Sequence, residues 1–566
     1  MKSLKFIQLL VLSNSTKSAN QFKFSKNLNL VTAKDNSVGK STLIKLIFWG
    51  LGCEPELDTT WNAQDCKTIV DFEVDDKIYR VKRYKNEISL KEEGYAYRDY
   101  RKITGSFSKK FAQIVGFNAL LPNQKTGSQE TPPPAYYFIP FYIDQKRSWA
   151  NAWDNFEKLG QYRGWKSTIV KYHVGLLKPE HFKLESEKTE KKENQKNIES
   201  EVAKIETTLD VIESYIPDAV NTVTTVPAID KITDSIKKDL ELLQLNQEEL
   251  LHKTAINNSE KSYLYQQQVM TEKLISELDK DYKYSVENIA EDEIECPLCG
   301  VVHENSIVNR TSIMTDKTQA ENQLDEIIKS IDKVDKKITS NAKKLEDVRS
   351  QISVINEKYV IEDESDSKID FNQIIESVAG NSIKTNVSKT KGFKKTQIAI
   401  ITKEIKELKK EQKALTTKDE TDTILNYFNS TLSNYIKQLD AEAVNLSEIN
   451  SPLDYNKVIK EGGAAEGARA ILGYYLTIFS MVEKFGNETK SPLVIDTPNQ
   501  QEQSFTNYEK IVNILTSSLL KKNQIILSAM ENEQLKPYTD EAHIITLDDK
   551  KLLHKDKYEL VKIEFE

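Results

Sequence analysis

Apolar residues through the middle of the chain recur in alternating steps of four and three. Ile198, Val202, Ile205, Leu209, Ile212 and Ile216 form one such run. Its mean repeat of about 3.5 residues predicts a coiled-coil seam. Pro217 and Pro227 interrupt it, because proline removes a helical hydrogen bond and clashes with the preceding turn. Helical character resumes near Ile229. A second seam reads Leu324, Ile328, Ile331, Val334, Ile338, Leu345, Val348, Ile352 and Ile355, and a third, shorter one Ile398, Ile401, Ile405 and Leu408. A less regular polar stretch, roughly 359–394, lies between these two. Outside this region the pattern changes. The first 180 residues carry β-rich runs such as CKTIVDFEV and DKIYRVKRY, and the last 146 end in PLVID, QIILS, HIITL and YELVKIEFE, all strand-like. The opening MKSLKFIQLLVLS also reads as a strand, since Gln8 breaks the apolar run a leader peptide would need.

The seams lie symmetrically about a short stretch, IECPLCGVVHE at 294–304. A chain that turns there would pair its two helical arms and bring two incomplete terminal segments together as one head. The expected division is therefore 1–180, first half of the head; 181–290, ascending arm with a break near 217–228; 291–305, tip; 306–420, descending arm; and 421–566, second half of the head. Each arm of about 105 residues would reach about 150 Å if continuous, and the proline break would bend or shorten it.

Composition agrees with long exposed helices. Charged residues make up 29% of the chain and aromatic ones 8%, with 18 Gly and 14 Pro in 566 residues. The net charge of -8 does not advertise a nucleic-acid binder, although a local basic face could still exist. No apolar run approaches the roughly 20 residues that span a bilayer. Four cysteines without a framework pattern point to the reducing cytoplasm.

Candidate chemistry sits in the terminal segments. NLVTAKDNSVGKSTLI at 29–44 places GKST after a strand-like run and before a helical one, the context of a P-loop. Asn36, Gly39, Lys40, Ser41 and Thr42 would cradle ATP phosphates, Lys40 would reach the terminal ones, and the Ser41 hydroxyl would bind Mg2+. SPLVIDTP at 491–498 describes a buried strand ending in Asp496, a Walker B carboxylate supporting the same Mg2+. YYFIPFYIDQKRSW at 136–149 ends a strand with Gln145, where a Q-loop glutamine would contact metal and water. EGGAAEGARAILGYYLTIF at 461–479 sets Gly462 and Gly463 before a helix, in the position of an ABC signature motif that caps the γ-phosphate held by a second head. Lys40, Gln145 and Asp496 are the expected catalytic set, and Ser41, Gln145 and Asp496 the expected magnesium set.

With these motifs, head, coiled coil, CPLC tip, coiled coil and head, the chain resembles the zinc-hook branch of the SMC superfamily, as in SbcC-type repair ATPases. Its compact arms are similar to those of the SMC-like subunit of Lamassu-type antiphage systems. The resemblance implies an α/β ABC-type ATPase head assembled from N- and C-terminal segments, with a long antiparallel coiled-coil arm and a zinc-hook tip. It implies a homodimer through hook and heads, double-stranded DNA as a partner, and control of an effector nuclease or accessory subunit. The motifs depart from the pattern in four places. Lys34 replaces a P-loop glycine, Glu461 stands where the signature serine is expected, Thr497 replaces the catalytic glutamate, and no histidine follows IILSAMENEQ. Those departures argue against fast hydrolysis and favour an alternative, an ATP-locked scaffold that holds an effector inactive. Glu502, Gln500 or Gln501 could orient water instead. No nuclease constellation is present in the sequence.

A single Cys-x-x-Cys supplies two thiolates, whereas structural zinc takes four tetrahedral ligands. Cys296 and Cys299 are therefore expected to share Zn2+ with the same pair of a second copy. A redox pair would need a βαβ setting, which the flanks lack. Cys53 and Cys66 are expected to be buried thiols. The lysine-rich arm base, Lys394, Lys395, Lys406, Lys409 and Lys410, offers candidate phosphate contacts.

Overall fold

The computed structural model describes residues 2–35, 38–58, 61, 65–149, 151–215, 234–287, 293–295, 302–304, 307–358, 371–458, 463–499, 501, 503–517, 522–548 and 552–566. Asn36, Pro217, Pro227, Cys296, Cys299, Glu461, Gly462, Gln500 and Glu502 lie outside the described residues. The chain divides into two compact units, one from residues 1–190 with 406–566 and the other from 191–405.

The first unit contains two main sheets. One is antiparallel, with neighbouring strands in the order Ser18–Lys23, Leu4–Ser13, Cys66–Val74, Lys77–Tyr84, Glu87–Glu92 and Arg98–Tyr100. The other is parallel, in the order Tyr142–Ile143, Leu493–Asp496, Ile525–Ser528, Leu28–Thr32 and His543–Thr546. Leu28–Thr32, Leu493–Asp496 and Ile525–Ser528 are buried throughout, which is why they read as continuous apolar runs rather than alternating ones. Strands from the two ends of the sequence thus interleave in one sheet. The buried Gln524 amide stitches those ends together, accepting from the Phe6 N–H at 2.7 Å and donating to the Phe6 carbonyl at 2.8 Å. Buried His173 and Glu488 meet at 2.6 Å to make a second link.

Two strand-like stretches are helical instead. YYFIPF forms the helical turns Ala135–Phe138 and Ile139–Phe141, leaving only Tyr142–Ile143 as strand. YELVKIEFE forms the helix Tyr558–Lys562 and a further turn, Ile563–Phe565. Val561 and Phe565 are buried while Leu560 and Ile563 are exposed, so spacing of four rather than two decides the conformation.

The second unit is helical. Its long elements are Asp234–Glu287 and Ile307–Lys358, together with most of Pro179–Tyr215 and Phe371–Ala414. The polar stretch before residue 394 is therefore helix from Phe371 onward, and Ile383 and Val387 are buried one turn apart. Ile198 packs with Ile398, Ile401 and Ile405, so the first and third seams meet. In the second seam Ile327 is buried and Ile328 is 46% exposed. Choosing Ile327 makes the steps from Leu324 to Ile338 alternate three and four throughout, as a coiled coil requires. Among the described residues, no helix is long and apolar enough to cross a membrane.

The arm doubles back. Ser259 donates to the Lys204 carbonyl at 2.6 Å, the Lys204 ammonium lies 4.3 Å from the Tyr263 ring, and Ile205 and Leu209 pack with Leu251 and Ala255. Helix Asp234–Glu287 therefore runs antiparallel beside Pro179–Tyr215 instead of prolonging it. Helix Ile307–Lys358 pairs with it in turn, through Lys261–Asp335 at 2.5 Å and Lys317–Asp279 at 2.6 Å. Strands Glu293–Glu295 and Val302–Glu304 pair antiparallel; the Cys-x-x-Cys lies outside the described residues.

Candidate nucleotide site

The P-loop strand Leu28–Thr32 leads to helix Lys40–Gly50, which Gly39 caps at φ 103°. Only glycine adopts that backbone without strain. An added Cβ there would also sit 3.3 Å from the Leu552 Cβ. The first turn of the helix presents Lys40, Ser41 and Thr42 to a cavity of about 930 Å³. Lys40 Nζ donates to the Asp35 carbonyl at 3.0 Å, and burial holds its pKa below the usual value, opposed by Asp496 and Asp35.

Asp144 builds the turn that carries Gln145. Its carboxylate accepts from the N–H groups of Lys146 at 2.9 Å and Arg147 at 3.0 Å. The Phe48 and Tyr142 rings, 4.4 Å apart, fix this segment against the P-loop helix. Asp496 ends its strand at the carboxyl edge of the parallel sheet, where ligands bind in open α/β sheets.

These elements converge on one hydroxyl. Ser41 Oγ lies 3.0 Å from Gln145 Oε1 and 3.0 Å from Asp496 Oδ1. Burial pushes the Asp496 pKa up to about 6, partly offset by the Ser41 hydroxyl. Its second oxygen, Oδ2, is buried without a hydrogen-bond partner. A hydroxyl, an amide oxygen and a carboxylate with an open position make the hard-oxygen set that Mg2+ takes. Thr497 follows at φ 60°, strained for a β-branched residue, and its hydroxyl lies 3.3 Å from Asp496 Oδ1. A threonine hydroxyl is a poor general base, and the described residues lining the cavity include no glutamate.

Gly463 caps helix Ala464–Phe485 and does not line this cavity. Buried Arg469, in the second turn, secures the helix. It donates to the carbonyls of Leu439 at 2.7 Å and Asp440 at 2.6 Å, and to Gln503 Oε1 at 2.6 Å. Cys53 and Cys66 are buried thiols, with burial pushing Cys66 up to about 12. Among the described residues no cluster of His, Cys, Asp and Glu could hold a metal. Motif reading missed Thr16, Ser18, Trp61, Leu552 and Leu553, which also line the cavity. They belong to no spacing pattern and come together only through folding.

The P-loop head and the doubled helical arm are similar to those of SMC-like proteins. The chain's homologues are Lamassu LmuB proteins. One, from Bacillus cereus (strain VD014), is 25% identical over 550 residues, covering 94% of this chain and 92% of the relative. Another, from Bacillus sp. (strain NCIM 5461 / CCTCC AB 2011126 / NIO-1130), is 24% identical over 585 residues, covering 98% of each. No family model matches the sequence. Among solved structures, an Smc head domain with a coiled coil and joint derived from Pyrococcus yayanosii aligns over the full length of both chains, at TM-score 0.40 and 12% identity. The RecF–ATP recombination mediator aligns over 98% of this chain and 99% of its own, at TM-score 0.31 and 10% identity. Superpositions this loose have no bearing on function.

Proposed function

We propose that this chain is an SMC-like ATP-binding protein of antiphage defence or DNA repair. It dimerises through ATP-sandwiched heads and a zinc hook, clamps double-stranded DNA, and controls a partner effector, a nuclease or accessory subunit. The observation that carries this reading is the meeting of Ser41, Gln145 and Asp496 beside the P-loop. In the dimer, Gly462 and Gly463 of one copy would cap the γ-phosphate on the other. Mg2+ held by the oxygen set would neutralise phosphate charge. Lys40 would bind the terminal phosphates, and Gln145 would orient water. No helix in the described residues argues for a membrane role, and we infer a cytoplasmic protein.

The lysines at the arm base differ in their availability. Lys394 and Lys395 pair with Glu201 and Glu206 at 2.7 and 3.1 Å. Lys406, Lys409, Lys410 and Lys413 line a cavity of about 480 Å³ with Lys178, and these four make no ion pair among the described residues. They are the better phosphate contacts, and their replacement by Glu should weaken DNA binding and flatten its salt dependence.

The deciding experiment is steady-state ATP hydrolysis with and without linear double-stranded DNA, against Lys40→Ala. A DNA-stimulated rate lost in the variant supports this reading; a rate indifferent to both overturns it. Thr497, in place of a glutamate, favours the second reading, an ATP-locked scaffold. That reading expects ATP binding without turnover under either condition, and a gain of turnover in Thr497→Glu.

A further inference from the structure

The segment 552–566 follows the last strand of the parallel sheet yet lies on the antiparallel one. Its backbone pairs with Ala19: the Ala19 N–H donates to the His554 carbonyl at 2.9 Å, and the His554 N–H returns a bond at 3.0 Å. Asn20 Nδ2 donates to the Leu552 carbonyl at 2.9 Å, and Lys557 Nζ to Asn20 Oδ1 at 2.7 Å. Further along, Val561 and Phe565 are buried with Leu10, Leu12, Ala19 and Ile69 in a small core of their own. Arg80 and Glu564 close the far end at 2.7 Å. The segment is a strap, fastened at several points.

Its near end reaches the nucleotide cavity. Leu552 packs over Gly39, and Leu552 and Leu553 line the cavity together with Thr16 and Ser18 of the neighbouring strand turn. The metal-binding end of that cavity is made elsewhere. Trp61 and Asp58 belong to the segment tied to the Gln145 turn through Glu56–Lys146 at 3.8 Å, and Thr497 follows Asp496 directly. A nucleotide whose terminal phosphates sit at Lys40 and Ser41 must extend its nucleoside away from them. Tyr508, Ala529, Met530 and Asn532 line the cavity as well. The wall that packs over Gly39, next to Lys40 and Ser41, is the strap, joined by the strand turn; it is apolar from two leucines and hydroxylated from Thr16 and Ser18.

We propose that residues 552–566 form the nucleoside wall of the site, with Leu552 and Leu553 packing on the base or ribose. Nucleotide affinity then depends on a strap anchored a dozen residues away at Val561 and Phe565. This rests on the ATP-binding reading above and adds which residues hold the nucleoside.

The test measures Mg2+-dependent binding of a fluorescent ATP analogue to the full chain, and its displacement by ATP or by tripolyphosphate, which has no nucleoside. In Leu553→Asp, and in the anchor variant Phe565→Asp, ATP should bind about tenfold more weakly, while tripolyphosphate binds within about twofold of wild type. Lys40→Ala should weaken both ligands. Unchanged ATP affinity in both strap variants, or equal losses for the two ligands, overturns the proposal, the latter by reducing the strap to support of the P-loop. A wild-type chain that binds neither ligand overturns the ATP reading and the strap with it. Thermal unfolding of each variant separates lost contact from lost fold, and Leu553→Ala, a smaller change at a half-buried site, repeats the test if Leu553→Asp fails to fold.

Discussion

The Ser41 hydroxyl stands 3.0 Å from Asp496 Oδ1 across 455 residues of sequence. That distance joins the first turn of the P-loop helix to the end of a strand that comes from near the other end of the sequence and lies in the same sheet as the P-loop strand. The strand places a carboxylate in a fully buried position, at the cost of leaving Oδ2 unpartnered.

A cation should relieve this, so Asp496→Asn should weaken Mg2+-dependent ATP binding at least about tenfold. The same change should leave the metal-free protein as stable as wild type, or more so, because it removes a buried charge. Isothermal calorimetry with ATP at fixed and zero Mg2+, with urea unfolding of both proteins, measures the two effects.

The pH dependence has a definite sign. Asp496 titrates near 6 in the folded chain against an ordinary value of about 3.9. Its contribution to the stability of the metal-free protein is fully present below the ordinary value and is lost as pH rises through about 6. The difference amounts to at most roughly 3 kcal/mol. Mg2+-ATP binding runs the other way, falling as pH drops below about 6 and the carboxylate takes up a proton. Urea midpoints from pH 4 to 8 should show the stability trend in wild type and not in Asp496→Asn.

Thr497 holds φ at 60°, which costs a β-branched residue on the order of 1–2 kcal/mol. Asparagine tolerates that region and keeps a polar side chain beside Asp496. Thr497→Asn should raise the urea midpoint by about 0.5–1 kcal/mol equivalent; a lower midpoint would mean that the Thr497 hydroxyl outweighs the strain.

Arg469 satisfies the buried Leu439 carbonyl, the Asp440 carbonyl and the Gln503 amide. Arg469→Ala should destabilise the head by about 3 kcal/mol, since each orphaned acceptor costs about 1–3. Lysine should rescue only part of this, lacking the planar fork. Denaturant unfolding of the three proteins decides it.

Zinc analysis tests the hook. One Zn2+ per two chains is expected, lost in Cys296→Ser with Cys299→Ser. One zinc per chain would instead point to ligands from within a single copy.

Much of this protein was legible in its sequence. Seam spacing determined the helical arms, because an apolar stripe repeating every 3.5 residues can be buried only against another helix. GKST and LVID determined a strand-to-helix turn and its partner strand, because a helix-capping glycine at positive φ and a buried parallel strand each demand particular residue types. Finer choices were not local. Whether Ile327 or Ile328 enters the seam depends on the facing helix. Whether YELVKIEFE is strand or helix depends on the sheet that receives Val561 and Phe565, since a short apolar run satisfies either period. That the arm doubles back at Lys204 and Ser259, that Ser41, Gln145 and Asp496 share one point, and that Leu552 covers Gly39 were decided by tertiary structure alone. Each is a contact between residues far apart in the chain, and no spacing along a sequence encodes a distance across a fold.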